Sequence, residues 1–279
     1  MSLVNMRELI AQAEIKGTGV GAFNVGNMEM VMGVVKAAEE MDTPVIMQIA
    51  EGRLPHSPLA LIGPMMVAAA RAAKVDIAVH LDHGRSRKTI LQALELGFTS
   101  VMYDGSSMPY KGNLENTRQV VGLAGKYQAA VECEIGVVGG NEGGDFDHKI
   151  RYTDPIDAMK FSRESGADAM AVAIGNAHGV YISEPRLRFD ILKKIRQKSA
   201  LPLVLHGGSG ISDEDFREAI RCGIRKVNIA TASLNAAAGF AKEALDSAGG
   251  PDYFAMSDAM VEGTYENVRH HIRVFSLTE

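Results

Sequence analysis

Apolar residues fall along this chain in two alternating patterns. Short β-prone runs, apolar on both faces, alternate with longer stretches whose apolar positions recur at helical spacing. Runs at 20–25, 45–49, 77–84, 98–103, 129–134, 169–174, 201–205 and 226–229 predict eight strands. Near-continuous hydrophobicity marks strands buried on both faces, as in parallel sheets. Helical spacing predicts helices over 6–15, 28–41, 59–74, 85–96, 114–127, 155–165, 187–198, 212–221, 230–247 and 253–275. Asn27 is placed to cap the second helix and Asp42-Thr43-Pro44 to stop it, while Ser212 and Asp215 have capping-box spacing. Pro64 predicts a bend or restart within 59–74. The segment 136–154 holds five glycines and no apolar period, which predicts a mobile lid or binding loop.

Eight strands alternating with helices, with no linker or shift in composition, predict an α/β chain folded as one (β/α)8 TIM barrel over residues 1–279. The first helix precedes the barrel and the last helices extend it. A doubly wound open sheet is the alternative. The count of eight, and the polar residues at three separate strand ends, favour closure.

Those strand ends carry the chemistry. The run at 77–84 finishes in His80-Leu81-Asp82-His83-Gly84, that at 169–174 leads into Asn176-Ala177-His178-Gly179, and that at 201–205 into His206-Gly207-Gly208-Ser209-Gly210. In parallel α/β proteins ligands bind at the carboxyl ends of the strands. A lone histidine near a core is usually a hydrogen-bonded structural residue. Three at separate strand ends, each beside or near glycine, instead suggest a ligand set. His83, His178 and His206 would give a metal three imidazoles and leave a fourth position open, the pattern of a catalytic zinc site. Asp82, beside His83, would stay ionised near a dication and could exchange a proton with a substrate hydroxyl, or else only orient a ligand. Asp104 and Glu134 end neighbouring strands. They could host a second metal position, hold a metal-bound histidine, or act as structural acceptors. His80 is a supporting or packing residue. Asn24, ending the first strand, is a further candidate for contact with substrate.

The last two strand ends add an anion site. His206-Gly207-Gly208-Ser209-Gly210 precedes a helix, and Lys226-Val227-Asn228-Ile229-Ala230-Thr231 ends the last strand and opens another. Barrels commonly bind phosphate there, through backbone N–H groups and a helix N-terminus. Ser209 and Thr231 could add hydroxyl donors.

Composition narrows the partners. The net charge of -5 favours neither nucleic acid nor an anionic membrane, and the apolar runs are too short to span a bilayer. The amino terminus has no signal-peptide core, so a cytoplasmic location is expected. Cys133 and Cys222 are then two buried thiols rather than a disulfide. Cys133 alternates with Glu132 and Glu134 and faces away from them.

From about Met6 to the last helix, the sequence resembles the class II, metal-dependent ketose-bisphosphate aldolases, which include fructose- and tagatose-1,6-bisphosphate aldolases. The resemblance rests on His80-Leu81-Asp82-His83-Gly84, Ser100-Val101-Met102-Tyr103-Asp104-Gly105-Ser106, Val131-Glu132-Cys133-Glu134-Ile135-Gly136 and Ala173-Ile174-Gly175-Asn176-Ala177-His178-Gly179, together with the two loops just described. It implies reversible cleavage of a ketose (bis)phosphate to dihydroxyacetone phosphate and an aldehyde, through an enediolate whose charge zinc stabilises. It implies His83, His178 and His206 as zinc ligands, Asp82 as acid and base on the substrate hydroxyl, and Asp104 with Glu134 near an alternative metal position. Gly179, Gly207, Gly208, Ser209, Asn228, Ile229, Ala230 and Thr231 would hold dihydroxyacetone phosphate, with a monovalent cation near its phosphate. Glu142 matches the loop carboxylate that acts as base at the carbon beside the ketone. A homodimer or homotetramer is expected.

Two departures concern the other half of the substrate. Ala50 stands where family members often have serine or threonine, and Val274-Phe275-Ser276-Leu277-Thr278-Glu279 replaces a common glycine- and serine-rich basic tail. The second phosphate would then lack its usual partner unless Arg53 supplies one. The competing functions are a zinc hydrolase on a barrel, which needs no phosphate cradle, and a non-catalytic sugar-phosphate-binding relative, which has no need of Asp82.

Overall fold

The computed structural model describes residues 2–140, 150–179 and 185–278. Its strands are β1 (Val20–Asn24), β2 (Val45–Ala50), β3 (Ile77–Gly84), β4 (Ser100–Tyr103), β5 (Ala130–Ile135), β6 (Gly139–Gly140), β7 (Ala169–Val172), β8 (Ala177–His178), β9 (Leu203–Leu205) and β10 (Ile224–Ile229). The helices are α1 (Met6–Lys16), α2 (Met28–Glu40), α3 (Leu59–Ala72), α4 (Arg87–Glu95), α5 (Tyr110–Gly125), α6 (Pro155–Glu164), α7 (Phe189–Lys198), α8 (Asp213–Arg221), α9 (Thr231–Ala248) and α10 (Tyr253–Phe275). All strands but β6 and β8 form one closed parallel barrel in the order β1-β10-β9-β7-β5-β4-β3-β2. Closure is made by β10 against β1, where Val20 pairs with Lys226 and Phe23 with Ile229. The open-sheet alternative is thereby excluded.

Several boundaries differ from the sequence expectation, for local reasons. α5 begins four residues early because Pro109, with φ -58, is preset for a helix start. α3 runs through Pro64 without a break, at the loss of one backbone hydrogen bond. The strand expected over 169–174 stops at Val172. The Asn176 side chain accepts from the Ile174 N–H at 2.8 Å and donates to the Val172 carbonyl, taking over the ladder. Within the segment 136–154, β6 pairs with β8, and Val137 bridges Arg151. Glu142 and the rest of 141–149 lie outside the described residues.

The barrel interior has two layers. Toward the amino ends of the strands, Val20, Ala22, Ile46, Ala78, Met102, Ala130, Ala169, Ala171 and Val204 pack against Met6, Leu9, Ile10 and Ala13 of α1, which plugs that end. The plug is fastened at its rim by Arg7 to Asp168 at 2.7 Å, and by Glu14 to Arg196 and Arg225. Alternate residues of the same strands, such as Phe23, Met47, Val79, Leu81, Cys133 and Val227, point outward into the core beneath the helices. Cys133 and Cys222 are both free thiols. Toward the carboxyl ends the interior turns polar: Asn24, Gln48, His80, Asp82, Ser100, Glu132, Glu134, Lys226 and Asn228 are all buried. None of the described helices is long and apolar enough to cross a membrane.

Candidate active site

The site begins where the alternation of β3 breaks. Ala78 lies in the inner layer, and Val79 and Leu81 in the outer one. Regular pleating that brings Asp82 inward would send His83 outward. Instead His83 has φ 47, and the pairing with β4 shifts register between Leu81 and Gly84. A residue with a Cβ costs about 1–2 kcal/mol in that left-handed region. The strained turn brings both Asp82 and His83 to the mouth of the barrel.

His83 Nδ1 lies 2.9 Å from Asp104 Oδ2, and His206 Nε2 lies 2.7 Å from Glu132 Oε1. Burial alone would raise the Asp104 carboxyl, yet its bonds with His83 and Ser106 and the nearby Arg85 hold it well below the usual carboxylate range. Burial would raise Glu132 too, but the Lys226 ammonium and then His206 hold it low. Both carboxylates are therefore ionised and accept the imidazole protons. The remaining nitrogens, His83 Nε2 and His206 Nδ1, lie 2.8 Å apart. Burial pushes His206 down despite Glu132, so it stays neutral near pH 7. His178 completes the group, its ring centroid 4.8 Å from that of His83. The short β8 carries it, and Asn176 ties that loop to the His206 carbonyl at 3.0 Å. Ligand atoms of His83, His178 and His206 all lie within 4.8 Å of one another, as do those of His83, Asp104 and Glu134. Three converging imidazoles, two of them backed by carboxylates, form a donor set that fits a divalent metal with imidazole preference.

Asp82 faces this centre, its Oδ1 3.9 Å from His83 Nε2. Three side-chain amides hold it: Asn228 donates to Oδ1 at 3.0 Å, and Asn24 and Gln48 donate to Oδ2 at 3.1 and 3.2 Å. Asn24, expected as a substrate contact, has its amide directed at Asp82, and its carbonyl accepts from Gln48 at 2.6 Å.

Beside Asp82 lies a pocket lined by Arg53, His178, Gly179, Gly207, Gly208, Ser209, Asn228, Ala230 and Thr231. Glycine is required where its loops touch. A Cβ on Gly207, which has φ 63, would sit 2.2 Å from the Ala177 carbonyl oxygen, and one on Gly208 would sit 2.7 Å from that of Asn228. Ser209 Oγ accepts from the Ala232 N–H at 2.9 Å and so caps α9, whose own N-cap, Ala230, has no side chain able to do so. Of the expected phosphate-binding residues, Ile229 alone directs its side chain into the outer core.

The sequence reading gave no role to Gln48, Glu132 or Lys226. A signal was present. Glu132 shares a face with Glu134, and Lys226 with Asn228, in runs whose other positions are apolar.

The model of the family described as fructose-bisphosphate aldolase class-II matches residues 4–279. The chain is 40% identical over 247 residues to YdjI of Escherichia coli K12, covering 88% of each. The solved structure titled YdjI aldolase superposes with a TM-score of 0.87 over 98% of this chain and 97% of that one, at 35% identity. A probable fructose-bisphosphate aldolase of Bacillus subtilis is 37% identical over 250 residues, covering 88% of this chain and 87% of its own. A 6-phospho-5-dehydro-2-deoxy-D-gluconate aldolase of Halalkalibacterium halodurans is 35% identical over 281 residues, covering 99% and 96%. The chain thus belongs to the class II fructose-bisphosphate aldolase family.

Proposed function

We propose that this aldolase cleaves a ketose phosphate reversibly to dihydroxyacetone phosphate and an aldehyde, with zinc held by His83, His178 and His206. The observation that carries this reading is the convergence of His83 Nε2 and His206 Nδ1 to 2.8 Å, each ring backed on its other nitrogen by a carboxylate. A bound divalent ion supplies Lewis acidity toward the substrate's ketone and hydroxyl oxygens, stabilising the negative charge that carbon–carbon cleavage leaves beside the ketone. Asp104 and Glu134, grouped with His83, offer an alternative metal position.

Asp82 takes the hydroxyl proton in cleavage and returns it in condensation. Its three amide partners hold the carboxylate in one orientation toward that proton. Gly179, Gly207, Gly208, Ser209, Asn228, Ala230 and Thr231 receive the donor phosphate, using backbone N–H groups and the N-terminus of α9. Arg53 lines the same pocket and is its one basic lysine or arginine side chain among the described residues. It serves the donor phosphate, which leaves the aldehyde half without a dedicated cation among the described residues. Aldehydes lacking phosphate are then accepted, since a phosphate dianion entering without a counter-charge loses hydration for little gain. Relatives named for two different substrates support a fixed donor half and a variable acceptor half. The enzyme acts in the cytoplasm as a homodimer or homotetramer.

The test is release of dihydroxyacetone phosphate from fructose- and tagatose-1,6-bisphosphate and from ketose 1-phosphates of matched length. Chelation is expected to abolish it, and zinc or cobalt to restore it. Full activity in metal-free protein, with a lysine adduct trapped by borohydride, would refute the metal mechanism. A hundredfold preference for bisphosphates that disappears in Arg53→Ala would reassign that arginine to the second phosphate.

A further inference from the structure

Lys226 is a fully buried lysine that does not line the pocket. It lies at 0% exposure in the middle of β10 and lines neither the pocket nor the metal centre. Its Nζ is 2.8 Å from Glu132 Oε2 and 2.6 Å from Asn228 Oδ1. The fold does not need a charge here. Exchanging a buried ion pair for apolar groups of similar size is often neutral or stabilising.

We propose that Lys226 is a positioning residue that orients the metal-binding and proton-transfer halves of the site at once. This rests on the reading of His206 as a metal ligand and Asp82 as the proton carrier.

An ammonium has three protons and no lone pair, so every group facing it must accept. This decides which way the Asn228 amide points. Its carbonyl oxygen faces Lys226, and its NH2 faces Asp82 Oδ1 at 3.0 Å. The flipped amide would set NH2 against ammonium and carbonyl against carboxylate, two repulsive contacts. The second contact decides a tautomer. With Lys226 on Glu132 Oε2, Oε1 accepts from His206 Nε2 at 2.7 Å. The Asn228 amide nitrogen also lies 3.2 Å from Nε2, but the charged Glu132 oxygen is nearer at 2.7 Å and can only accept, so the proton stays on Nε2 and Nδ1 is the nitrogen turned toward His83 Nε2. One side chain thus reaches Asp82 through Asn228 and His206 through Glu132, and touches neither.

The test compares Lys226→Met, the double variant Lys226→Met/Glu132→Gln, which leaves no unpaired buried charge, and the wild type. Cobalt alone is the metal probe, titrated into chelator-treated protein and followed by its visible ligand-field bands. Folding is checked by circular dichroism. Either folded variant should bind cobalt about tenfold or more weakly with altered bands, the scale seen when groups behind a metal ligand are removed. At saturating cobalt its kcat should fall about a hundredfold, with KM changed by less than about threefold. A folded variant with wild-type cobalt affinity, bands and kcat would overturn the inference. If neither variant folds, 15N-histidine NMR of the wild type decides. His206 must carry its proton on Nε2, and its Nδ1 signal must move when zinc is added. A proton on Nδ1 overturns the inference. Wild-type protein that binds no cobalt overturns the underlying site reading as well, whereas variants matching a cobalt-binding wild type overturn the Lys226 assignment alone.

Discussion

The two ends of the barrel interior are built from the same strands and differ completely in content. Along β1 the inward positions pass from Ala22 to Asn24, along β2 from Ile46 to Gln48, and along β5 from Ala130 to Glu132 and Glu134. The amino-terminal end is a closed apolar layer sealed by α1, and hydrophobic burial suffices to hold it together. The carboxyl-terminal end is equally buried but polar; most of its groups meet one another, while Gln48 Oε1 and His80 Nε2 have no hydrogen-bond partner among the described residues. The comparison teaches a division of labour within a single pleat. Two residues along a strand separate a side chain whose loss is felt as stability from one whose loss is felt as chemistry.

The most direct way to break that division is to remove a metal ligand. His178 is half-buried on the short β8, outside the barrel sheet, so His178→Ala should leave the barrel intact. Turnover should fall by about a thousandfold or more, the consequence of losing Lewis-acid stabilisation, and zinc content per chain should fall with it. Wild-type zinc content and activity in that variant would remove His178 from the site. Asp82→Asn comes next. It keeps the shape of the side chain but loses the proton acceptor, and turnover should drop about 10²- to 10⁴-fold while zinc content and KM hold. Steady-state kinetics on metal-loaded protein would show it.

At the other end, Leu9→Ala should do the reverse. Leu9 is 1% exposed in the plug, and a buried leucine cut to alanine costs about 2–5 kcal/mol. Urea unfolding should report that loss, with kcat unchanged in the folded enzyme. A large fall in kcat instead would mean that the two ends are mechanically coupled.

The two ends were not equally legible in the sequence. Near-continuous apolar runs alternating with helical spacing were enough for the eight strands, because each strand is buried on both faces, whereas closure against an open sheet is settled by the pairing of β10 with β1. His83, His178 and His206 stood out as polar residues at the ends of such runs. Three things were hidden. His83 reaches the site only through a left-handed backbone turn, which side-chain alternation does not encode. Asn176 ends a strand through its side chain, a tertiary effect that propensity does not contain. Glu132 on β5 and Lys226 on β10 meet across the interior with β7 and β9 between their strands, and only the curvature of the barrel makes them a pair. The α1 plug was read as a helix, but its place under the barrel follows from long-range contacts to Asp168, Arg196 and Arg225.

The subtlest prediction concerns a buried imidazole outside both interior layers. His271 on α10 lies between Phe23, Phe216 and Phe275, with ring centroids 6.3, 5.9 and 5.5 Å away. His83 and His206 face carboxylates, whereas His271 Nδ1 meets the Asn267 carbonyl at 2.7 Å. Burial pushes its pKa down from 6.5 to about 4, and His270 adds to the shift, against the weaker pull of that carbonyl and of Asp213. The sign follows from proton counts. Between pH 6.5 and 4 the unfolded chain holds a proton at this position that the native protein does not, so acidification favours unfolding. The contribution of neutral His271 is complete above pH 6.5, declines as pH falls, and is exhausted below about 4. One pKa unit is worth about 1.4 kcal/mol, which caps the loss at about 3 kcal/mol. His271→Leu keeps the apolar contacts and removes the titration. Urea unfolding at pH 7 and pH 5, on chelated protein so that metal release does not intrude, should show the wild type losing about 1–2 kcal/mol more than the variant. Parallel losses would mean that the aromatic pocket admits the charged ring, and that acid sensitivity arises at the polar end of the barrel instead.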